Sequence, residues 1–442
     1  MNPKSGTCGD SRVFEGLTLR SGPPQGTPSK NQCCIQGMDH DGSPCILTLD
    51  EEVFSRHILI LGNIGTGKTN GLLQLVNQIR KQLIDQDCMI IFDTKGDYYR
   101  AFYREGDMVI SNDDRAIGAS GKKDYWNIFG EVGKGEQLEP DLQEIASTLF
   151  FDRMTRSQQP FFPAAARDLF AGILLHLLRR SAPKIPHNAA LREFLDQATA
   201  SSLRSMLSQH PDLAAFCSYI QDDHSPQTQG VISELQQISR EVLVGNFRKA
   251  GSLSIREAIR RKDKSVIFVE YDLGIGTVLS PIYRLMLDLA IKETLCRTSK
   301  NGNVWFIVDE FRLLPNLQHI DDGLNFGRSL GAKFLLGIQN VEQIYHSYGE
   351  QRARSILAGC STIISFRVND AASRLYLQGV LGKNRKLESY MASVASRGIV
   401  EQIREAFVVE DWEISPLPPG TCIVNKSGFE PYYFTWQIWN GK

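Results

Sequence analysis

The chain has 442 residues, of which 42% are hydrophobic and 22% charged, and its formal net charge is -1. This composition is typical of a globular protein of two or three domains, and it excludes a disordered or fibrous protein and a uniformly basic coat for nucleic acid. The nine cysteines form no C-x-x-C pair, which argues against a zinc site or a disulfide framework, and no signal peptide or apolar run of about 18 residues is found.

The predicted elements divide the chain into four parts. Residues 1–38 are rich in Gly, Ser, Pro and Thr, and we expect a flexible arm with little structure. Residues 39–134 and 256–442 alternate buried strands with helices, and the second of these parts ends in a pattern typical of a surface hairpin. Residues 135–255 predict helices only. The sequence therefore predicts an α/β fold with one doubly wound, mainly parallel sheet and an inserted all-alpha domain.

A glycine-rich loop joins the first buried strand of this fold to the helix after it. The loop and its flanks satisfy the pattern G-x-x-x-x-G-K-[ST] in its required context. Glycines allow successive N–H groups to point at one place, where the helix N-terminus adds partial positive charge, so phosphate oxygens are held there. We expect ATP and Mg²⁺ as cofactors, with Lys68 at the β- and γ-phosphates and the Thr69 hydroxyl on the metal. The predicted nucleotide-binding residues are Gly62, Asn63, Ile64, Gly65, Thr66, Gly67, Lys68, Thr69 and Asn70.

Two carboxylates follow the later apolar strand VWFIV. In a hydrolysing ATPase the first, Asp309, holds Mg²⁺, and the second, Glu310, polarises the attacking water. Gln339 ends the next strand, and it is either a sensor of the γ-phosphate or water, or a polar cap of that strand. These residues predict hydrolysis rather than binding alone.

Two arginines are candidates to complete the site of a neighbouring subunit, because a planar guanidinium matches phosphate oxygens. Our first choice is Arg367, predicted one strand further along the sheet than Gln339, and the second is Arg328; a surface or ion-paired arginine is the alternative for each. Basic runs at 260–262 and 383–386 indicate DNA binding only weakly, since the same residues also serve solubility.

Several motifs over about residues 40–425 together resemble the type IV secretion coupling ATPases, the TraD-type motors of bacterial conjugation, and more distantly the HerA and FtsK class of DNA pumps. The resemblance implies a RecA-like P-loop NTPase domain, an all-alpha domain that recognises cargo such as a relaxase-type protein, a homo-hexameric ring and ATP-driven movement of DNA. The strings that carry it are RHILILGNIGTGKT, IFDTKGDYY, FIVDEFRLLPNL, GRSLGAKFLLGIQ and PLPPGTCIV.

Coupling ATPases of this kind usually begin with a two-helix membrane anchor, which the sequence does not predict here. We therefore expect a cytoplasmic location, with contact to the inner membrane only through a partner.

The leading functional hypothesis is a DNA-translocating ATPase. The alternative is a nucleotide-gated recruitment ATPase that acts on a protein partner, for example in a mobile-element or phage-defence complex. A small-molecule kinase fits less well, since Glu310 and Gln339 are hydrolysis-type residues and no acceptor lid is predicted. We also expect deletion of about residues 135–255 to spare nucleotide binding.

Overall fold

The computed structural model of the chain describes residues 11–24, 32–296, 302–391 and 399–441. Two compact units are present. The first unit consists of Met1–Gln82, Asp309–Arg312 and Lys333–Lys442, and the second of Leu83–Val308 and Leu313–Ala332.

The strands are numbered along the chain. Within the described residues they are β1 (Ser11–Glu15), β2 (Cys33–Met38), β3 (Pro44–Leu49), β4 (Ile58–Leu61), β5 (Cys88–Asp93), β6 (Met108–Ile110), β7 (Ser265–Glu270), β8 (Val304–Val308), β9 (Ala332–Ile338), β10 (Thr362–Ser365), β11 (Lys383–Met391), β12 (Ile399–Phe407), β13 (Thr421–Lys426) and β14 (Tyr432–Trp436).

The helices are numbered in the same way, and short 3₁₀ turns are left without labels. They are α1 (Glu51–Ser55), α2 (Lys68–Gln82), α3 (Asp97–Phe102), α4 (Leu138–Arg156), α5 (Phe161–Ser181), α6 (Asn188–Asp196), α7 (Ala200–Leu207), α8 (Pro226–Val242), α9 (Ile255–Arg261), α10 (Gly276–Leu295), α11 (Ile320–Phe326), α12 (Val341–Tyr348), α13 (Glu350–Ala358), α14 (Ala371–Leu381) and α15 (Asp411–Ile414).

The first unit contains seven strands of the large sheet in the order β3-β2-β14-β13-β10-β4-β9. Strands β9, β4 and β10 are parallel, whereas β10, β13, β14, β2 and β3 pair antiparallel. The closing hairpin β13–β14 lies inside this order, and Cys422 and Phe434 are fully buried. The prediction of a surface hairpin is therefore wrong, because strands on both sides cover it.

The predicted flexible arm contains two strands. Strand β1 pairs with β11, and β11 pairs with β12, in a separate three-stranded sheet. Strand β2 pairs with β3 along its whole length and buries Cys33 and Ile35. The expectation of little structure is wrong for these strands, because β11 supplies hydrogen bonds to β1, and β3 and β14 supply them to β2. Residues 1–10 and 25–31 of the arm lie outside the described residues.

The second unit holds the parallel strands β8-β5-β7-β6 and the helices α3 to α11. Strands β5, β7 and β8 are buried along their whole length, as expected for parallel strands covered on both faces. The fold-class prediction, a P-loop α/β fold with a mainly parallel sheet and an all-helical stretch, is confirmed. The proposed domain boundaries stay a prediction. Helices α4 to α8 belong to the same unit as these strands.

Helix α4 is joined to α9 and α10 by buried ion pairs. The Asp141 carboxylate, fully buried, lies 2.5 Å from Arg256 Nη1 and 3.1 Å from Lys292 Nζ. Burial alone would raise the pKa of Asp141, but the hydrogen bond and charge of Arg256 hold it below its ordinary value. Arg284 Nη2 also donates to the Thr148 carbonyl at 2.9 Å. The first helix of the helical stretch is therefore fixed to the strands and helices of its unit by charge as well as by packing.

Helix α5 is the one helix of the described residues that could cross a membrane by length and composition. Its most apolar 18-residue window is 67% buried within the protein, as in a helix of a protein core. Helices α4 and α8 pack against it.

The two basic runs are neither plain turns nor open cationic patches. Arg260 lies in the last turn of α9, with its Nε 2.7 Å from Glu293 Oε1. In β11, Lys383 Nζ lies 2.7 Å from Glu405 Oε1 across the strand pair, and Arg385 contacts Glu15 at 3.1 Å. Because acidic residues stand opposite, these runs do not carry a DNA-binding argument.

Candidate nucleotide-binding site

The glycine-rich loop lies between β4 and α2 in the first unit, as the motif predicts. Its turn requires positive φ at Gly65 (+73°) and Gly67 (+115°), which residues with a side chain rarely adopt. A Cβ at Gly67 would also stand 3.1 Å from Gly420 Cα and 3.1 Å from a ring carbon of Phe366. The loop therefore keeps its shape only with glycine at these places.

Three backbone hydrogen bonds hold the loop against neighbouring strands and turns. Its first two residues donate, from Gly62 N to Ile338 O at 3.2 Å and from Asn63 N to Arg367 O at 3.0 Å, and its Thr66 carbonyl accepts from Gly420 N at 2.8 Å. Sequence reasoning assigned no role to Gly420. Gly420 ends the segment PLPPG, about 350 residues after the loop. No local pattern in the sequence indicates that this segment and the loop lie close together.

Lys68 opens helix α2 and is buried. Its ammonium contacts the Gly62 carbonyl and lies 3.2 Å from the Asn63 carbonyl. The side chain therefore folds back over the loop, where a cation would meet phosphate oxygens held by the loop amides.

The two predicted metal ligands meet directly. Thr69 Oγ1 lies 3.0 Å from Asp309 Oδ2, although the residues are 240 positions apart. A hydroxyl and a carboxylate are the oxygen ligands that Mg²⁺ takes beside water and phosphate. The residues present thus fit a Mg²⁺ ion bound together with a nucleotide.

Glu310 is held from two sides. Gln339 Nε2 donates to Glu310 Oε2 at 2.7 Å, and Arg312 Nε lies 3.0 Å from Glu310 Oε1. Gln339 thus lies beside Glu310, as expected from the end of a neighbouring strand. The sequence motifs gave no role to Arg312, which the 3₁₀ turn after Glu310 brings back toward that carboxylate.

Two predicted loop residues take other positions. The side-chain amide of Asn70 donates to the Gln437 carbonyl at 2.9 Å and accepts from Trp439 N at 2.8 Å, so it anchors the chain after β14. Ile64 is 77% exposed at the tip of the loop.

The two candidate arginines differ in surroundings. Arg367 follows β10, which pairs with β4, so β4 lies between its strand and the strand of Gln339. The prediction that the two strands are adjacent is wrong, and the Arg367 backbone supports the loop of its own chain. Arg328 lies in the exposed 3₁₀ turn Gly327–Leu330 of the second unit. Within the described part of the chain it forms no ion pair.

The segment DTKGD, which begins at the last residue of β5, forms a polar turn in the second unit. Glu270 lies next to Asp93 on the paired strand β7 and contacts Arg115 at 2.7 Å. Burial and the Asp93 carboxylate raise the pKa of Glu270 to about 8, against the lowering effect of Arg115. The Asp93 carboxylate caps the turn by accepting four backbone N–H groups, those of Lys95, Gly96, Tyr98 and Tyr99.

Known proteins share this fold. The TrwB coupling protein in its sulphate complex aligns with a TM-score of 0.75 at 20% identity over 98% of this chain and 96% of that one. TrwB with a non-hydrolysable ATP analogue aligns with a TM-score of 0.73 at 19% identity over the same shares. VirB4 of Thermoanaerobacter pseudethanolicus aligns with a TM-score of 0.59 at 12% identity over 94% of this chain and 99% of that one. At these identities the TM-scores show a shared fold and nothing further.

Sequence comparison gives the family. Coupling protein TraD of Escherichia coli (strain K12) is 23% identical over 398 residues, which cover 87% of this chain and 52% of TraD. The chain thus spans about half the length of that relative. The profile of the type IV secretion-system coupling protein DNA-binding domain matches residues 45–412. With its phosphate loop and paired carboxylates in place, the chain belongs to the type IV secretion-system coupling protein DNA-binding domain family.

Proposed function

We propose that this chain binds ATP with Mg²⁺ and hydrolyses it. The observation that carries the proposal is the placement of both carboxylates in one unit, with Asp309 on the Thr69 hydroxyl at 3.0 Å and Glu310 on the Gln339 amide at 2.7 Å. A phosphate loop that only binds a nucleotide needs the contact of Thr69 with Asp309, but it does not need the contact of Gln339 with Glu310. The TrwB complexes with a GTP analogue, with an ATP analogue, and with ADP and Mg²⁺ support binding of a nucleotide together with Mg²⁺.

Each residue has a separate task in this proposal. Loop amides and Lys68 hold the phosphates, and Thr69 and Asp309 hold the metal, which would neutralise charge on the phosphate oxygens. Glu310 orients and polarises the attacking water, and Gln339 fixes the carboxylate in the orientation that this requires.

We further propose that an oligomeric ring, a hexamer by family resemblance, couples hydrolysis to movement of DNA. Membership of a family described by its DNA-binding domain supports DNA as the substrate. The helical stretch is the proposed site for cargo proteins, and contact with a membrane is proposed through a partner.

Steady-state ATP hydrolysis with and without single- and double-stranded DNA tests the proposal. Stimulation by DNA supports the motor. Hydrolysis that only a protein partner stimulates supports the recruitment ATPase instead, and no hydrolysis in any condition contradicts both.

DNA affinity is expected to fall steeply with salt and to be insensitive to sequence. Each phosphate neutralised releases counterions and contributes about -0.7 to -0.9 to the slope of log K against log salt. Fluorescence anisotropy with two unrelated oligonucleotides measures both properties. Binding that is flat in salt, or that discriminates between the oligonucleotides, argues against a phosphate-backbone contact.

Mixing two inactive variants is expected to restore activity if an arginine acts on a neighbouring subunit. The structural surroundings favour Arg328 over Arg367, because Arg328 is exposed and the Arg367 backbone serves its own loop. In a 1:1 mixture of Lys68→Ala and Arg328→Ala, up to about one quarter of random interfaces in a ring combine an intact loop with an intact arginine. The ATPase assay of the mixture gives the result.

The same mixture made with Arg367→Ala is the matched comparison. Recovery with Arg367→Ala and none with Arg328→Ala would reverse the choice. If neither mixture recovers while light scattering shows co-assembly, neither arginine acts in trans.

A further inference from the structure

Helix α14 of the first unit has two apolar faces. Leu377 and Leu381 are 2% and 3% exposed and face the core. On the other side, apolar and small residues recur at the spacing i, i+3, i+4, i+7, i+8, which places them in one stripe along the helix. Leu375 in this stripe is 65% exposed. The stripe consists of Ala372, Leu375, Tyr376, Gly379 and Val380.

This stripe forms one wall of a groove of about 880 Å³. Leu357 and Ala358 of helix α13 form another wall, and the turn between β13 and β14 adds Phe429, which is 47% exposed. Leu17, also nearly half exposed, closes one end. Several large apolar side chains therefore converge at one exposed place, which is typical of a protein-binding surface rather than of scattered surface residues.

The charge at the groove has one sign. Lys426 and Arg354 line it, and no Asp or Glu lines it among the residues that the structure describes. Lys426 Nζ lies 4.5 Å from the centroid of the Phe429 ring, so its charge lies next to an apolar side chain of the groove. Arg354 is partly neutralised by Glu350 of the same helix at 2.6 Å. Lys426 is therefore the main cation for a ligand.

We propose that this groove binds an amphipathic helix of a partner protein, whose apolar stripe is flanked by carboxylates. A stripe with helical spacing beside a second helix presents the ridges and groove into which a third helix packs. The basic rim selects acidic flanks by charge complementarity. The surface is separate from the phosphate loop, so the inference does not depend on ATP hydrolysis.

Three labelled peptides of about 18 residues, or five helical turns, serve as probes. The first carries leucines at helical spacing with glutamates elsewhere, the second has lysines in place of the glutamates, and the third is a scrambled form of the first without the stripe. Fluorescence anisotropy with the full chain should show binding of the first peptide and at least about tenfold weaker binding of the other two, or about 1.4 kcal/mol.

Variants of the groove then locate the binding. Leu375→Asp should weaken the acidic peptide about tenfold or more. Lys426→Glu should weaken the acidic peptide and strengthen the lysine peptide, a reversal that a merely destabilised fold does not produce. Ile438→Asp changes an apolar residue that is 83% exposed outside the groove, and it should leave binding unchanged. Thermal melting of each variant checks the fold.

Other outcomes overturn the proposal. These are no binding of the acidic peptide up to millimolar concentration, equal binding of the scrambled peptide, or unchanged binding to Leu375→Asp. If Leu375→Asp instead changes only the sedimentation of the chain, a second copy covers this face and the partner helix is excluded.

Discussion

Replacement of Lys68 by alanine is expected to abolish ATP hydrolysis and to weaken ATP binding by roughly 30- to 5000-fold. The reason is that Lys68 is buried over the loop, and loss of one partner of a buried charge contact costs about 2–5 kcal/mol. Isothermal titration with ATP and Mg²⁺ measures the affinity. Thermal melting gives a second readout, because saturation at about 100 times Kd stabilises a protein by about 2.7 kcal/mol and this increment should disappear.

Lys81→Ala is the matched control for that variant. Lys81 is an exposed residue in the last turn of the same helix α2, so the change removes the same charge from the same element without touching the loop. It should keep both binding and turnover. Normal ATP affinity in Lys68→Ala would contradict the assignment of Lys68 to the phosphates.

Glu310→Gln is expected to keep ATP binding and to lose turnover by about 10²- to 10⁴-fold, the usual contribution of a positioned general base. The amide is isosteric with the carboxylate, so the contact of Thr69 with Asp309 should persist, but the amide cannot polarise water in the same way. Single-turnover hydrolysis and ATP titration together separate chemistry from binding.

Glu342→Gln provides the comparison for this second variant, since Glu342 is exposed on helix α12 three residues after Gln339. It should behave as the unaltered protein. Retained turnover in Glu310→Gln excludes Glu310 as the base, whereas loss of both binding and turnover with a lowered melting temperature indicates a folding defect.

The sequence alone predicted the parts of the site that are encoded within a few residues. The loop from Gly62 to Thr69 and the strand end at Asp309 and Glu310 are local patterns, and their alternation with helices implies a parallel sheet that brings strand ends together. The 3.0 Å contact of Thr69 with Asp309 agrees with this reasoning.

Contacts between distant segments could not be predicted in this way. Strands β1 and β2 lie in a Gly- and Pro-rich segment. Strand β1 forms because β11 supplies its hydrogen bonds, and β2 forms because β3 and β14 supply them. Gly420 supports the loop from about 350 residues away, and Arg312 reaches Glu310 only because a 3₁₀ turn follows the strand. For β1 and for the end of β2, tertiary pairing overrides local propensity.

The ion pairs of α4 limit where segments of this chain can be deleted or exchanged. A graft or deletion that starts at residue 135 would remove Asp141 and Glu144, so Lys292 would lose both of its carboxylate partners and Arg256 would keep only Glu293. Breaking a buried pair costs about 3–5 kcal/mol, a large part of the stability of a domain. Removal of 135–255 is therefore expected to destabilise the second unit, and sparing of nucleotide binding stays a prediction. We expect that chimaeras which exchange helical regions between coupling proteins should keep α4 with its host.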